Sequence, residues 1–366
     1  MKRRNLIVAE PGRLEIVEED LAEIPQDGLL LRTLTSGLSA GTELTFLKGD
    51  NPALHQRLDS ELGLFVPSDE HAGQAYPVRR LGYMEVAEVV ESRSAAYRPG
   101  EIVATPYGHA TAHASDPVRE HVVALPPELD PVLGVYAAHL GPICVNGLLH
   151  AAWDAAGPGV ESLRDGVDGR LVVVTGAGAI GLIVAMLARS HGAREVVVVE
   201  ADERRRSVAE QLGFRTLDLA EDIGLALKTR WRHGPGDHGA DVVFQCRGRT
   251  ASLHAALRAL RPQGSVIDLA FYTTGAEDVR LGEEFHHNGL RVVTAQIGRV
   301  PRGLAHSWDR GRLSHETVRF LLAEGDDVRK HIITDVVPFD DAPQLMYDIA
   351  ARKAHVLTAV FDFAGN

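Results

Sequence analysis

The residues with the clearest chemical spacing are Gly176-Ala177-Gly178-Ala179-Ile180-Gly181, a GxGxxG run. It follows the β-branched stretch 171–175 and leads into the apolar, helix-forming stretch 182–189. In that setting Gly176 permits a tight turn, Gly178 lets a pyrophosphate approach the backbone, and Gly181 lets the helix pack closely on the strand. Phosphates bound there would meet the N–H groups and the positive dipole end of the helix. A flexible turn is the competing reading, but the strand before and the helix after favour dinucleotide binding.

Glu200 closes the next β-branched run, 24 residues after Gly176. A carboxylate there can accept hydrogen bonds from the adenosine ribose and repel a 2′-phosphate, which selects NAD over NADP. The run Asp202-Glu203-Arg204-Arg205-Arg206 offers a counter-argument, since an arginine, with Arg205 the candidate, could neutralise a 2′-phosphate. The same run also reads as a solvated first helical turn with acids at its favourable end. That reading is preferred, and NAD with it.

Other reactive side chains are scattered. Cys144 and Cys246 are about a hundred residues apart with no CxxC, which excludes a disulfide framework or a zinc ribbon. Cys144 reads as a small buried hydrophobe. His109, His113 and His121 share one Ala/Ser/Pro-rich stretch. The i, i+4 spacing of the first two would join them on one face only if the stretch were helical, and a loop is expected.

The 366 residues are enough for two or three domains with sizeable cores. Hydrophobic residues at 45% and charged residues at 24% exclude wholesale disorder, collagen and coiled coil. A formal charge of −12 disfavours nucleic acid as a partner. The apolar start at 5–9 stops at Glu10-Pro11, too short for a signal peptide, and no run of some 18 uncharged apolar residues occurs. A first strand and a cytoplasmic location are expected, with no membrane association.

Positioning the glycine turn requires a parallel sheet. Runs at 171–175, 195–200, 240–245, 265–269 and 291–295 alternate with amphipathic stretches, the mark of strands with crossover helices, buried on both faces. Before them, short β-rich pieces at 29–34, 83–91, 101–105 and 121–125 read as an irregular β unit. After residue 300 a helical stretch around 316–324 precedes strand-like pieces ending at 356–363. The expected division is 1–146, 147–299 and 300–366, with the tail returning to the first unit.

This layout resembles the medium-chain dehydrogenase/reductase superfamily along essentially the whole chain. Ser36-Gly37-Leu38-Ser39-Ala40-Gly41-Thr42-Glu43-Leu44 resembles its "G-x-C-x-T-D" segment, and the stretch 81–91 its "G-H-E-x-x-G-x-V" strand. The stretches 239–244 and 260–266 resemble its fourth and fifth Rossmann strands. The implied fold is α/β, a Rossmann dinucleotide-binding domain inserted in a GroES-like β-rich catalytic domain. The family's dimers imply a homo-oligomer.

Zinc alcohol dehydrogenases of this superfamily hold their metal through a cysteine, a histidine and a third cysteine or acid. Here those positions fall on Ser39 or Ala40, on Tyr83 and on Gly141, none a competent ligand, and the four-cysteine structural lobe is missing. A protein without zinc is expected. Phe285-His286-His287, Gln296-Ile297-Gly298 and Trp308-Asp309-Arg310 are similar to a zinc-lacking branch that includes bacteriochlorophyllide dehydrogenase. That placement would put His286, His287 and Gln296 near the nicotinamide, with a plain structural role the equal alternative.

The resemblance implies NAD-dependent interconversion of a secondary alcohol and a ketone. Without a metal, a side chain must stabilise the developing alkoxide. Tyr83 is the first candidate as acid/base or oxyanion donor, with Thr42 and Ser39 orienting the substrate hydroxyl and Glu43 behind them. A Tyr83 that merely fills the space of lost ligands is the alternative. Arg79, Arg80 and residues 46–76 are expected to shape the pocket of a small-molecule substrate. Two rival functions stand: a zinc-free enoyl or quinone reductase using NADPH, against which Glu200 argues, and a non-catalytic NAD-binding protein.

Overall fold

The computed structural model describes residues 2–67, 74–273 and 275–365, and the chain forms two compact units. One comprises Met1–His139 with Ile333–Asn366, the other Leu140–Ile332. The crossing points therefore lie at 139/140 and 332/333 instead of 146/147 and 299/300. The reason is packing: Leu140–Ala156 is one unbroken helix, and the helix Arg310–Asp327 lays its buried Leu313, Thr317, Phe320 and Leu321 in the same unit and contacts it.

The inserted unit is built on a six-stranded parallel sheet. In spatial order its strands are Arg215–Leu217, Glu195–Val199, Leu171–Thr175, Ala240–Gln245, Leu260–Asp268 and Arg291–Thr294. Numbered along the chain this is 3-2-1-4-5-6, the doubly wound Rossmann order. Each β-branched run of the sequence became a strand, and Val172, Val173, Val174, Val197 and Val243 are fully buried because helices cover both faces. The first strand Leu171–Thr175 lies beside the fourth, Ala240–Gln245, so the direction of winding reverses at the glycine turn.

The other unit is β-rich. Its seven-stranded main sheet runs Ile333–Pro338, Thr358–Asp362, Leu29–Leu38, Glu85–Ser92, Ile102–Thr105 and Val123–Ala124, with Ala112–Ser115 also paired to Leu29–Leu38. His113 therefore stands on a strand rather than in a loop. The chain's last strand is parallel to 333–338 but antiparallel to 29–38, which ties the tail to the start of the chain. The core gathers Leu6, Val8, Leu44, Leu47, Phe339, Met346 and Phe361 around the helix Ala40–Lys48. That helix begins at Ser39, so the "G-x-C-x-T-D"-like segment is a strand end, a turn and a helix start.

Candidate active site

In the inserted unit the sequence folds into the cradle its glycines require. Gly176 has φ +98°, a left-handed conformation that costs glycine nothing, and Gly178 is the N-cap of the helix Ala179–Ser190 with no side-chain cap. A Cβ on Gly181 would lie 1.8 Å from the Gly176 carbonyl oxygen, so only glycine lets this helix start so close to the strand. These backbone N–H groups and the helix dipole can hold a pyrophosphate. Ala179 and Ile180 form the first helical turn.

Glu200 is buried at the end of its strand. One carboxylate oxygen accepts from the Ala201 and Asp202 amides at 2.8 and 3.0 Å, and the other accepts from Ala177 N–H, inside the glycine turn, at 2.9 Å. Glu200 thus pins the turn as well as ending the strand. Arg247 approaches the same carboxylate at 3.7 Å, a neighbour the sequence did not disclose.

The arginine run divides by role. Asp202 caps the helix Glu203–Gln211 by accepting from Arg205 N–H, as expected of a first helical turn. Arg206 donates to the Glu200 and Ala201 carbonyls and pairs with Asp218. Arg205 reaches the turn, its guanidinium 3.9 Å from where a Cβ on Gly178 would stand. A hollow of about 590 Å³ lined by Ala201, Leu219, Ile223 and His254 adjoins this end and is large enough for a purine.

At the carboxyl ends of the strands, where such sheets bind ligands, Tyr272 donates to Asp268 at 3.0 Å and Gln245 to Tyr272 at 3.0 Å. Thr175 bonds to Gln245. Burial holds the Asp268 carboxyl above its ordinary range. Sequence reasoning missed this cluster, although Gln245 and Asp268 each close an apolar run, which was a signal. Gln296 folds its side-chain carbonyl onto Gly298 N–H at 2.7 Å, and its backbone carbonyl accepts from Asn146. His286 and His287 are exposed and meet edge to face. Cys144 is fully buried, and loss of hydration pushes its thiol far up, so it is inert.

In the β-rich unit, Ser39, Thr42 and Tyr83 converge although Tyr83 lies over forty residues from the other two. The Tyr83 hydroxyl bonds to the Ser39 hydroxyl and lies 3.4 Å from Thr42 Oγ1. Ser39 stands at the N-cap position with its side chain not used as a cap, and Thr42 lies in the first turn, so both belong to one helix end. Burial pushes the Tyr83 phenol up; the Ser39 and Thr42 hydroxyls, which can donate to a phenolate, pull it back, and the Glu43 charge adds to the rise. At neutral pH the phenol is protonated, a donor. The His139 ring lies 4.5 Å from the Tyr83 ring, a neighbour that sequence reasoning passed over while weighing Gly141.

His109 and His113 have different partners. His109 is bound to Ser36 and Glu43, and His113 to Glu85. Among the described residues, no group of three or more His, Cys, Asp or Glu side chains could hold a metal ion. Ser39 and Tyr83 bond to each other. Arg79 pairs with Glu19, and Arg80 donates to the Pro106 carbonyl and lies over the Tyr107 ring. Both are thus engaged in the scaffold. Of the stretch 46–76, residues 68–73 lie outside the described residues; Gln56–Asp59 and Leu64–Pro67 form a hairpin exposing Leu58, Leu64 and Phe65. Among the described residues, no helix is long and apolar enough to cross a membrane.

Residues 179–309 match the family profile described as zinc-binding dehydrogenase. The chain is 27% identical over 349 residues to D-guloside 3-dehydrogenase of Escherichia coli K12, covering 93% of this chain and 94% of that one. It is 27% identical over 188 residues to D-xylulose reductase A of Aspergillus oryzae, covering 50% and 48%. A Sinorhizobium meliloti protein crystallised with NADP superposes with a TM-score of 0.72 at 22% identity, covering 99% of both chains. That likeness establishes the shared fold.

Proposed function

We propose that the chain is an NAD(P)-dependent medium-chain dehydrogenase/reductase, in keeping with the match of residues 179–309 to the zinc-binding dehydrogenase profile and the likeness to D-guloside 3-dehydrogenase, and that it interconverts a secondary alcohol and a ketone without zinc. The observation that supports this reading is the convergence of the Ser39, Thr42 and Tyr83 hydroxyls, which lie on the segments that resemble the family's ligand-bearing motifs. The substrate class we infer is a polyol or glycoside, in keeping with the sugar and polyol names of the relatives.

Residues 176–181, Glu200 and Arg205 would hold the dinucleotide, which would supply the hydride acceptor in oxidation and the donor in reduction. NAD(H) is the preferred form, because Glu200 repels a 2′-phosphate even with Arg247 beside it. Ser39 and Thr42 orient the substrate oxygen. In reduction, Tyr83 gives its phenolic proton to the oxygen that becomes the alcohol as hydride reaches the carbonyl carbon. In oxidation the phenolate takes the hydroxyl proton while the carbinol hydrogen leaves as hydride. The edge strand Arg291–Thr294, with Val292 exposed, supports a homo-oligomer.

The test is a panel of a D-guloside, sorbitol, xylitol, 2,3-butanediol, an enone and a quinone, assayed with NAD(H) and NADP(H) on zinc-free protein. Turnover of secondary alcohols supports the reading. Turnover confined to the enone or quinone, or none with bound cofactor, overturns it.

A further inference from the structure

Beneath the hydroxyl cluster lies a buried hydrogen-bonded pair that the reaction as written does not use. His109 and Glu43 are essentially inaccessible, at 0% and 1% exposure. His109 Nε2 lies 2.7 Å from Glu43 Oε2, and Nδ1 lies 2.7 Å from the Ser36 hydroxyl. The other Glu43 oxygen reaches back over the helix start to accept from Ser39 N–H at 2.8 Å. The imidazole also occupies the space a Cβ on Gly82 would need, 2.8 Å from Nε2, and Gly82 has φ +93°.

His109 thus holds both arms of the cluster: Ser39 through Glu43, and Tyr83 through the glycine before it. The ring is fixed in turn by its own backbone, with His109 N–H on the Leu81 carbonyl and the His109 carbonyl taking Leu6 N–H. An isolated buried carboxylate or imidazole would be costly, and one pair satisfies both.

We propose that His109 is a positioning residue, which through Glu43 and Gly82 sets the place of Ser39 and Tyr83 and thereby the ease with which the Tyr83 phenol releases its proton. The inference rests on the reading that this hydroxyl cluster is the site of proton transfer. The titratable groups facing Tyr83 are Glu43 from the helix start, His139 across its ring and His109 behind Gly82.

The experiment reads the phenol directly, without substrate. The full-length protein is labelled with 13Cζ-tyrosine, Tyr83 is assigned by its loss in Tyr83→Phe, and its chemical shift is followed against pH. His109→Ala should move the Tyr83 midpoint to higher pH, because the Ser39 hydroxyl is no longer held against the phenol while the Glu43 charge remains. His109→Gln, whose amide can still donate to Glu43, should restore most of the parent value. An unmoved midpoint in His109→Ala, or a shift that His109→Gln fails to reverse, overturns the proposal.

If His109→Ala does not fold, Glu43→Gln decides. Removing that charge should move the midpoint to lower pH, and an unchanged midpoint overturns the proposal. Where a substrate is known, His109→Ala should also lower kcat on the order of 10²-fold, with cofactor affinity retained. Failure of the reaction reading would show in the substrate panel, and failure of this inference in the NMR titration.

Discussion

Ala177 N–H donates to Glu200 across the glycine turn at 2.9 Å, so the acid that ends the second strand also holds that turn in shape. On the proposed function, cofactor choice and turn geometry are coupled. Calorimetry on the unmodified protein should give tighter binding of NAD(H) than of NADP(H). Glu200→Ala should weaken both and narrow the ratio, losing roughly ten- to a hundredfold in NAD(H) affinity, the scale of a charged hydrogen bond. Equal or tighter NADP(H) binding by the parent would contradict the assignment.

Gly181→Ala should abolish dinucleotide binding. Its Cβ would meet the Gly176 carbonyl oxygen at 1.8 Å, and a backbone atom cannot swing aside as a side chain can. A loss of stability of at least about 2 kcal/mol should accompany it, read as a fall in Tm. A variant that melts and binds NAD(H) like the parent would show that the turn is not the one described.

Tyr83→Phe removes one oxygen and keeps the ring against His139. Turnover of the alcohol substrate should fall about 10²–10³-fold with cofactor affinity unchanged. Because burial raises the phenol, ketone reduction should hold its rate through neutral pH, while alcohol oxidation climbs toward alkaline pH as phenolate accumulates. Parent-like turnover in the variant would return Tyr83 to the role of filler.

Glu85 carries a stability prediction. It accepts from the Thr33 and Thr105 hydroxyls at 2.6 Å each and faces His113. Burial works to raise its pKa, yet the His113 charge and the three hydrogen bonds outweigh it and hold the carboxyl below its ordinary value. The unfolded chain then binds the proton more readily, so this stabilisation is complete above about pH 4.3, the unfolded value, and is lost as pH falls through the lower folded value. Glu85→Gln should cost about 3–5 kcal/mol at neutral pH by denaturant unfolding. The gap to the parent should close in acid, and a gap independent of pH would contradict the pairing.

Elemental analysis of protein purified without added metal should find no stoichiometric zinc, and chelators should leave Tm and NAD(H) binding unchanged. About one zinc per chain, removed with loss of activity, would mean that the ligand segments had been misassigned.

The inserted unit was largely legible because its signals are local. Val172 to Val174 and Val196 to Val199 announce strands, and the glycine turn lies between consecutive elements. The convergence of Ser39 and Thr42 with Tyr83 required the family resemblance, since nothing near position 83 shows what it will face. The pairing of His109 with Glu43 was not legible at all: it joins residues 66 apart through a strand end, a helix start and a loop, and periodicity carries no trace of it. The helix Arg310–Asp327 was seen but placed in the wrong unit, because an amphipathic stripe tells that a helix is buried, not against what.

The tail strand Thr358–Asp362 lies inside its sheet, between Ile333–Pro338 and Leu29–Leu38. On the ribosome, residues 29–38 emerge more than three hundred residues before their neighbour exists. The inserted unit, a compact unit formed by 140–332 alone, can be finished first. A nascent chain would thus acquire a nucleotide fold before the sheet that carries the hydroxyl cluster can close. On the proposed function, messages truncated between codons 332 and 358 would yield proteins that sequester dinucleotide without turning anything over.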